Sequence, residues 1–151
     1  MLRSALIALQ AAGLELETIS PIISSAPLGP SQRRYANAAA VVLSQHDPRA
    51  LLALLQQIEH RFGRNRRGQR WRARPLDLDV VLWQGGVWRD SVLTIPHPEF
   101  RRRLFVLGPA TEIAPDWRDP ITHCTLRHLR ARLTRKSVAL RRPHRSASAG
   151  P

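Results

Sequence analysis

Cysteine is almost missing from this sequence, lysine equally so, and long apolar runs are absent. The single cysteine, Cys124, rules out an internal disulfide and fits a reducing compartment. No apolar run approaches membrane-spanning length, and residues 1–13 lack the layout of a signal peptide, so a soluble cytoplasmic protein is expected. There is no G-x-x-x-x-G-K-[ST] run, which excludes nucleotide binding of the P-loop kind. No His/Cys spacing suits zinc; His123, Cys124 and His128 form only a weak cluster. Neither a serine nor a cysteine stands in a nucleophile context, and no segment repeats.

Acidic residues are also scarce. Eleven stand against 24 basic ones, for a formal net charge of +13, and every basic residue except Lys136 is an arginine. That balance points to polyanionic partners: nucleic acid, nucleotide phosphates or an acidic surface. A genome whose coding favours arginine and alanine would leave the same mark, so position rather than total must decide. The length of 151 residues suits one domain, and 43% hydrophobic with 23% charged residues is ordinary for a globular protein.

Leu2, Leu6 and Leu9 lie at helical spacing over residues 1–12, with Gly13 as a stop. Leu14 and Leu16 then alternate with Glu15 and Glu17 as in a half-buried strand, and the alternation slips a phase at Thr18 and Ile19. Pro27, Gly29 and Pro30 mark a loop, and residues 35–43 read as a second strand. Asp47 before Pro48 starts a helix whose stripe is Leu51, Leu55, Ile58 and Phe62 and which Gly63 closes. Residues 64–74 read as a mobile polar loop, residues 76–83 as a strand, and Gly85-Gly86 as a hairpin turn into Val87 and Trp88. Pro96, His97 and Pro98 open an irregular or short helical piece, and Phe105, Val106 and Leu107 return to the core. Leu126, Leu129 and Leu133 predict a closing helix with a basic outer face. The domain so read covers residues 1–136, and 137–151 form a disordered basic tail. The class is α+β, one sheet with helices packed on it.

Residues 64–79 concentrate the chemistry. Asp77 and Asp79, two apart on a strand, leave by one face while Leu76, Leu78 and Val80 point the other way. Two like charges so close call for a cation between them, and magnesium suits, since it takes one or two carboxylates and completes its shell with water and phosphate oxygens. An isolated D-x-D pair is otherwise two solvent-facing aspartates paired to arginine. Here Arg64, Arg66, Arg67, Arg70, Arg72 and Arg74 precede the pair, and guanidinium forks bind phosphate oxygens bidentately. Arginines opposite a carboxylate-held metal form the clamp of phosphoryl transfer, although several of the six are as readily a solvated basic loop. His97, between prolines and close to Arg101, Arg102 and Arg103, forms a second basic cluster.

These residues resemble the 6-hydroxymethyl-7,8-dihydropterin pyrophosphokinase family of folate biosynthesis. The matching stretches are S-P-I from Ser20, A-P-L-G from Ala26, Y-A-N-A from Tyr35 and I-E-x-x-F-G-R from Ile58. R-W-x-x-R-P-L-D-L-D from Arg70, I-P-H-P from Ile95, R-x-F-V-L from Arg103 and E-I-A-P-D from Glu112 continue them in order. The resemblance implies a ferredoxin-like fold and transfer of pyrophosphate from ATP to the pterin hydroxymethyl group, releasing AMP. It implies that Asp77 and Asp79 hold two magnesium ions, with Arg64, Arg66 and Arg74 directed at phosphates and Trp71 in a closing lid. His97 and Arg103 would contact ATP phosphates, and Gln56 and Glu59 would line the nucleotide site from their helix. Tyr35 and Phe105 would sandwich the pterin ring, with Asn37 and the backbone at Ser25 and Leu28 on its polar edge. Taken singly, Tyr35 and Phe105 also read as core aromatics. A monomer without a nucleic-acid partner is expected.

The sequence departs from the family at three places. The family opens with a strand and a Gly-Ser-Asn loop, whereas this sequence starts inside the following helix. The expectation is a domain without its first strand, from a mis-set start or in a truncated copy. Arg72-Ala73 stands where the family has Gly-Pro, and Glu99 where it has a basic or aromatic residue. Two rivals stay open: a small basic nucleic-acid-binding domain, against which Tyr35 stands alone on its strand, and a non-catalytic remnant.

Overall fold

The leucine stripe at the start winds into α1, Leu2–Ala11, in the computed structural model, which describes residues 1–25, 35–64 and 76–141. The expected loop at Pro27, Gly29 and Pro30 and the basic run 65–75 lie outside the described residues. Gly13, at φ +93°, takes the left-handed backbone that lets the Leu14 amide reach back to the Leu9 carbonyl at 3.2 Å.

β1, Glu15–Ile19, pairs antiparallel with β4, Ala40–Leu43, and β2, Ile23–Ser25, with β3, Tyr35–Asn37. The predicted phase slip is a bulge: the register jumps between Leu16 and Thr18. The single strand expected over 35–43 is two. Opposite its break stands Pro21, which has no N–H for a ladder. The neighbouring Ser20 compensates, its amide donating to the Ala39 carbonyl at 2.8 Å and its Oγ accepting the Ala39 amide at 2.8 Å.

α2, Pro48–Arg64, begins as predicted, with Asp47 Oδ1 accepting the Ala50 amide at 2.7 Å. Gly63 does not end it; the last helical residue is Arg64. Leu55 and Ile58 are buried, with Leu51 and Phe62 against the same cluster.

The strand predicted over 76–83 does not form. Among the described residues no neighbouring backbone supplies a ladder, and the hydrogen bonds arrive singly instead. The Leu78 amide donates to Glu59 Oε1 at 2.6 Å, and the Val81 carbonyl accepts the His97 amide at 3.0 Å. The alternation nevertheless survives: Leu76 is buried and Leu78 and Val80 half-buried, while Asp77 and Asp79 are exposed. The turn at residues 83–86 closes through the Gly86 amide on the Trp83 carbonyl. The ladder it leads into joins β5, Trp88–Arg89, to β6, Thr94–Ile95, rather than back to 76–83.

A 3₁₀ turn, Phe100–Arg102, leads into α3, Leu104–Ile113, and α4, Leu126–Arg141, closes the described fold. Residues 137–141 are helical, past the boundary read from sequence, and Ser137 Oγ donates to the Leu133 carbonyl at 3.2 Å. The class is α+β, with three two-stranded antiparallel ladders among the described residues.

Two apolar clusters hold these pieces. Ala5, Leu9, Leu14, Leu55, Ile58 and Leu76 form one, between α1 and α2. Phe100, Leu107, Ala114, Leu126 and Leu129 form the other, between the 3₁₀ turn, α3 and α4. Residues 76–82 run between them, Leu78 and Val80 packing on the first and Val81 and Leu82 on the second. Below the second cluster lies a fully buried charge, Asp119. Arg101 grips it with Nε at 2.5 Å and Nη2 at 2.8 Å, while Thr122 Oγ1 donates at 2.7 Å and the Ile121 amide at 3.0 Å.

Burial alone would push the Asp119 carboxyl up, but the bonds from Arg101, Thr122 and Ile121 pull it down to about 2 from an ordinary 3.8. A depressed carboxylate stabilises the fold above its unfolded pKa and loses that contribution as pH falls towards the folded one. Asp119→Asn should therefore cost about 2 kcal/mol at pH 7 and roughly half that at pH 3. Urea unfolding of both proteins across that range checks this; a difference independent of pH would refute it.

Candidate active site

The aspartate pair is exposed because Leu76, Leu78 and Val80 are not. Burying three alternate apolar side chains against α1 and α2 turns Asp77 and Asp79 out together. Glu59, half-buried on α2, fixes the backbone between them by accepting the Leu78 amide. Glu59, expected from sequence to line the nucleotide site, has this structural role in the fold.

His97 comes to the same place from the other side of the chain. Its amide bonds to Val81, and its Nδ1 accepts the Glu99 amide at 3.1 Å. That acceptor role leaves the neutral ring's proton on Nε2, which stands 3.9 Å from Asp79 Oδ2. The separation is too long for a hydrogen bond, and the Nε2–H is placed to serve an oxygen lying between the two groups.

Asp79 and His97 border an open cavity of about 380 Å³. Leu52 of α2, Val80, Val92, Leu93 and Pro98 supply its apolar walls. The wall from residues 90–94 was missed in the sequence. Its organiser is Asp90, which accepts the Val92 and Leu93 amides at 2.8 Å each and Trp88 Nε1 at 2.9 Å. The Val92 amide foremost, then the Trp88 ring N–H, hold the Asp90 carboxyl below its usual value. The local signal was an Asp-Ser pair directly after Trp88-Arg89, a turn former with nothing in it to announce a cavity.

Other predicted residues lie elsewhere. Gln56 is exposed on α2, one turn from both Leu52 and Glu59. Arg64 is the last residue of that helix. Ser25 faces Tyr35 across the β2–β3 ladder, and Tyr35 is 38% exposed. Asn37 Nδ2 donates to the Tyr35 carbonyl at 3.3 Å. α3 packs on β2 and β3 and carries Phe105 in its first turn. Arg103, immediately before α3, sets its guanidinium 5.7 Å from the centre of the Phe105 ring, a cation–π contact. Leu28, Arg66, Trp71 and Arg74 lie outside the described residues.

Among the described residues no three His, Cys, Asp or Glu side chains converge on a metal position. The donor set is instead two solvent-facing carboxylates. Hard carboxylate oxygens at exposed positions fit a hard cation that keeps water or phosphate oxygens as its other ligands. No helix among the described residues is long and apolar enough to cross a membrane.

A family model described as 7,8-dihydro-6-hydroxymethylpterin-pyrophosphokinase matches residues 1–115. The chain belongs to that family. It is 42% identical over 109 residues to the 2-amino-4-hydroxy-6-hydroxymethyldihydropteridine pyrophosphokinase of Synechocystis sp., covering 72% of this chain and 55% of the relative. It is 42% identical over 108 residues to the protein of the same name from Haemophilus influenzae, covering 71% and 67%. The Aquifex aeolicus protein is 31% identical over 124 residues, covering 82% and 77%. The matched stretch thus spans about half the length of the Synechocystis relative. Every pyrophosphokinase site residue expected from sequence falls within residues 1–115, and α4 falls beyond them.

Two outcomes follow from the geometry. Glu59→Ala strips the acceptor from a part-buried amide and should destabilise by roughly 1–3 kcal/mol, whereas Glu59→Gln, which keeps a side-chain oxygen, should cost less. Denaturant unfolding separates them, and equal losses would discount the bond. Asp77→Asn and Asp79→Asn, both at exposed positions, should shift stability by no more than about 0.5 kcal/mol. Each should nonetheless weaken manganese binding, followed by electron paramagnetic resonance, by about tenfold or more. Undiminished binding would remove that aspartate from the ligand set.

Proposed function

We propose that this chain is an ATP-dependent diphosphotransferase, transferring pyrophosphate from ATP to 6-hydroxymethyl-7,8-dihydropterin in folate biosynthesis. The hydroxymethyl oxygen attacks the β-phosphorus and gives up its proton. The bond from that phosphorus to the oxygen shared with the α-phosphate breaks, and AMP leaves with the electron pair. The observation that carries the reading is the meeting of Asp79 and His97, 3.9 Å apart, at the edge of a cavity with apolar walls. A carboxylate suited to a metal, a ring N–H suited to a phosphate oxygen and an apolar space suited to a base lie side by side.

In this reading Asp77 and Asp79 hold magnesium, two ions in all. When bound, it neutralises triphosphate charge and polarises the phosphorus–oxygen bonds. The protein's own part is positioning. Glu59 keeps the Asp77–Asp79 backbone in place. His97 donates from Nε2 to a phosphate oxygen, and Arg64, Arg66, Arg74 and Arg103 present guanidinium forks to the remaining ones. Leu52, Val92, Leu93 and Pro98 take the adenine, Gln56 borders it, and Trp71 closes over it. Tyr35 and Phe105 receive the faces of the pterin, while Asn37 and the backbone of Ser25 and Leu28 bond its edge. Arg103 lies over the Phe105 ring, which supports a phosphate site directly beside the pterin site. The enzyme acts as a cytoplasmic monomer, and nucleic acid is not its partner.

The test is production of AMP from ATP, magnesium and the hydroxymethylpterin. AMP should appear only with the pterin present, and Asp77→Ala or Asp79→Ala should reduce it by at least about 100-fold, the scale of losing an electrostatic clamp. Nucleotide binding without pterin-dependent AMP would point instead to a non-catalytic remnant.

A further inference from the structure

Arg101 stands in the run Arg101-Arg102-Arg103, which in sequence looks like one phosphate-seeking cluster. In the structure its guanidinium is already committed. Nε and Nη2 both close on Asp119, whose side chain is 0% exposed, against 26% for Arg101. Arg102 turns to Glu99 at the surface, and Arg103 lies over Phe105. Three adjacent arginines therefore have three different partners.

Asp119 is itself rigidly held. Its amide donates to the Cys124 carbonyl at 2.9 Å and its carbonyl accepts the His123 amide at 2.8 Å. The same loop is tied to the start of α4 through the Leu126 amide on Trp117 and the Arg127 amide on Pro115. Opposite it, the segment from His97 to Arg103 has few regular bonds. The Phe100 amide reaches His97 at 3.3 Å and the Arg103 amide reaches Phe100 at 3.4 Å, both long. The firm attachments of that segment are the burial of Phe100, the bond from His97 to Val81, the fork from Arg101 and, at its far end, the Arg103 carbonyl accepting the Val106 and Leu107 amides at 3.0 and 2.9 Å.

We propose that Arg101 and Asp119 form a positioning pair, which anchors the His97–Arg103 segment to the base of α4 and so sets both phosphate-directed side chains without touching substrate. The consequence for turnover rests on the pyrophosphokinase reading above. A phosphate contact and a positioning pair predict opposite results for Asp119→Asn. That change leaves the Arg101 charge in place, so a contact would survive it, whereas an anchor would slip.

Arg101→Gln, Asp119→Asn and the double variant should each raise the KM for ATP about tenfold, with the double variant no worse than either single one. The KM for the pterin should rise less than that for ATP in variants whose melting shows them fully folded, because Phe105 lies in α3, which β2, β3 and α4 hold as well as the 3₁₀ turn. Arg101→Lys, keeping the charge but not the fork, should fall between. An unchanged KM for ATP in folded Asp119→Asn, or a drop in kcat alone, overturns the proposal. Amide exchange provides a second measurement that needs no turnover. Protection of residues 97–103 should fall about tenfold in Asp119→Asn, or in Arg101→Lys if the former does not fold, with α1 and α2 unaffected. Unchanged protection defeats the proposal even if the wild-type chain makes no AMP, while wild-type inactivity with lost protection defeats only the pyrophosphokinase reading.

Discussion

Everything proposed for this site depends on one hydrogen bond, from the Leu78 amide to the Glu59 carboxylate at 2.6 Å. Strands usually hold their side chains in register through a ladder of neighbours, and residues 76–83 have none among the described residues. A charged acceptor on a packed helix substitutes for it at the position between the two aspartates. Charge-assisted bonds are stronger than neutral ones, and Ile58, buried beside Glu59, keeps α2 from yielding. The site's stiffness is therefore borrowed from the α1–α2 cluster.

The second cluster makes the corresponding contribution from the other side. His97 reaches Asp79 because Val81 and Leu82 pack with Phe100 and Leu107, drawing the 97–103 segment against 76–82. Two separate cores thus meet along one extended segment, and each brings one half of the Asp79–His97 pair. A volume change deep in either core therefore bears on that 3.9 Å separation through close packing, far from any ligand.

Period and capping made much of this readable in advance. The α2 stripe, its Asp47 cap, the Gly13 stop and the slip that became a bulge are all local, and local chemistry decides them. The inward and outward faces of 76–80 were readable for the same reason. What alternation cannot encode is a partner, so the expected strand there proved to be extended chain held by a side chain and a distant amide. α3 was missed because Gly108 and Pro109 look like breakers and the helix has little polar face; both residues are buried in its packing. Arg101 was legible only as one member of a basic cluster. Arginine spacing shows where charge lies, but only Asp119, eighteen residues on, shows that this charge is already neutralised.

The remaining charge argues for the metal more strongly than composition does. The net +13 suggests a surface that welcomes phosphate anywhere. Yet among the described residues that border the cavity two are acidic, Asp79 and Asp90, and one is basic, His97, with Asp77 two residues from Asp79. Asp90 has Arg49 at 4.0 Å and Asp79 has His97 at 3.9 Å. α4, by contrast, has Arg127, Arg130, Arg132, Arg135 and Lys136 and no acidic residue, and of these Arg127 pairs with Asp116 and Arg130 with Glu112. Total charge would therefore send a polyanion to α4. In the proposed reading a divalent cation on the aspartates, together with the phosphate-directed arginines, supplies the positive charge that brings phosphates to the place where a ring N–H and an apolar cavity stand side by side.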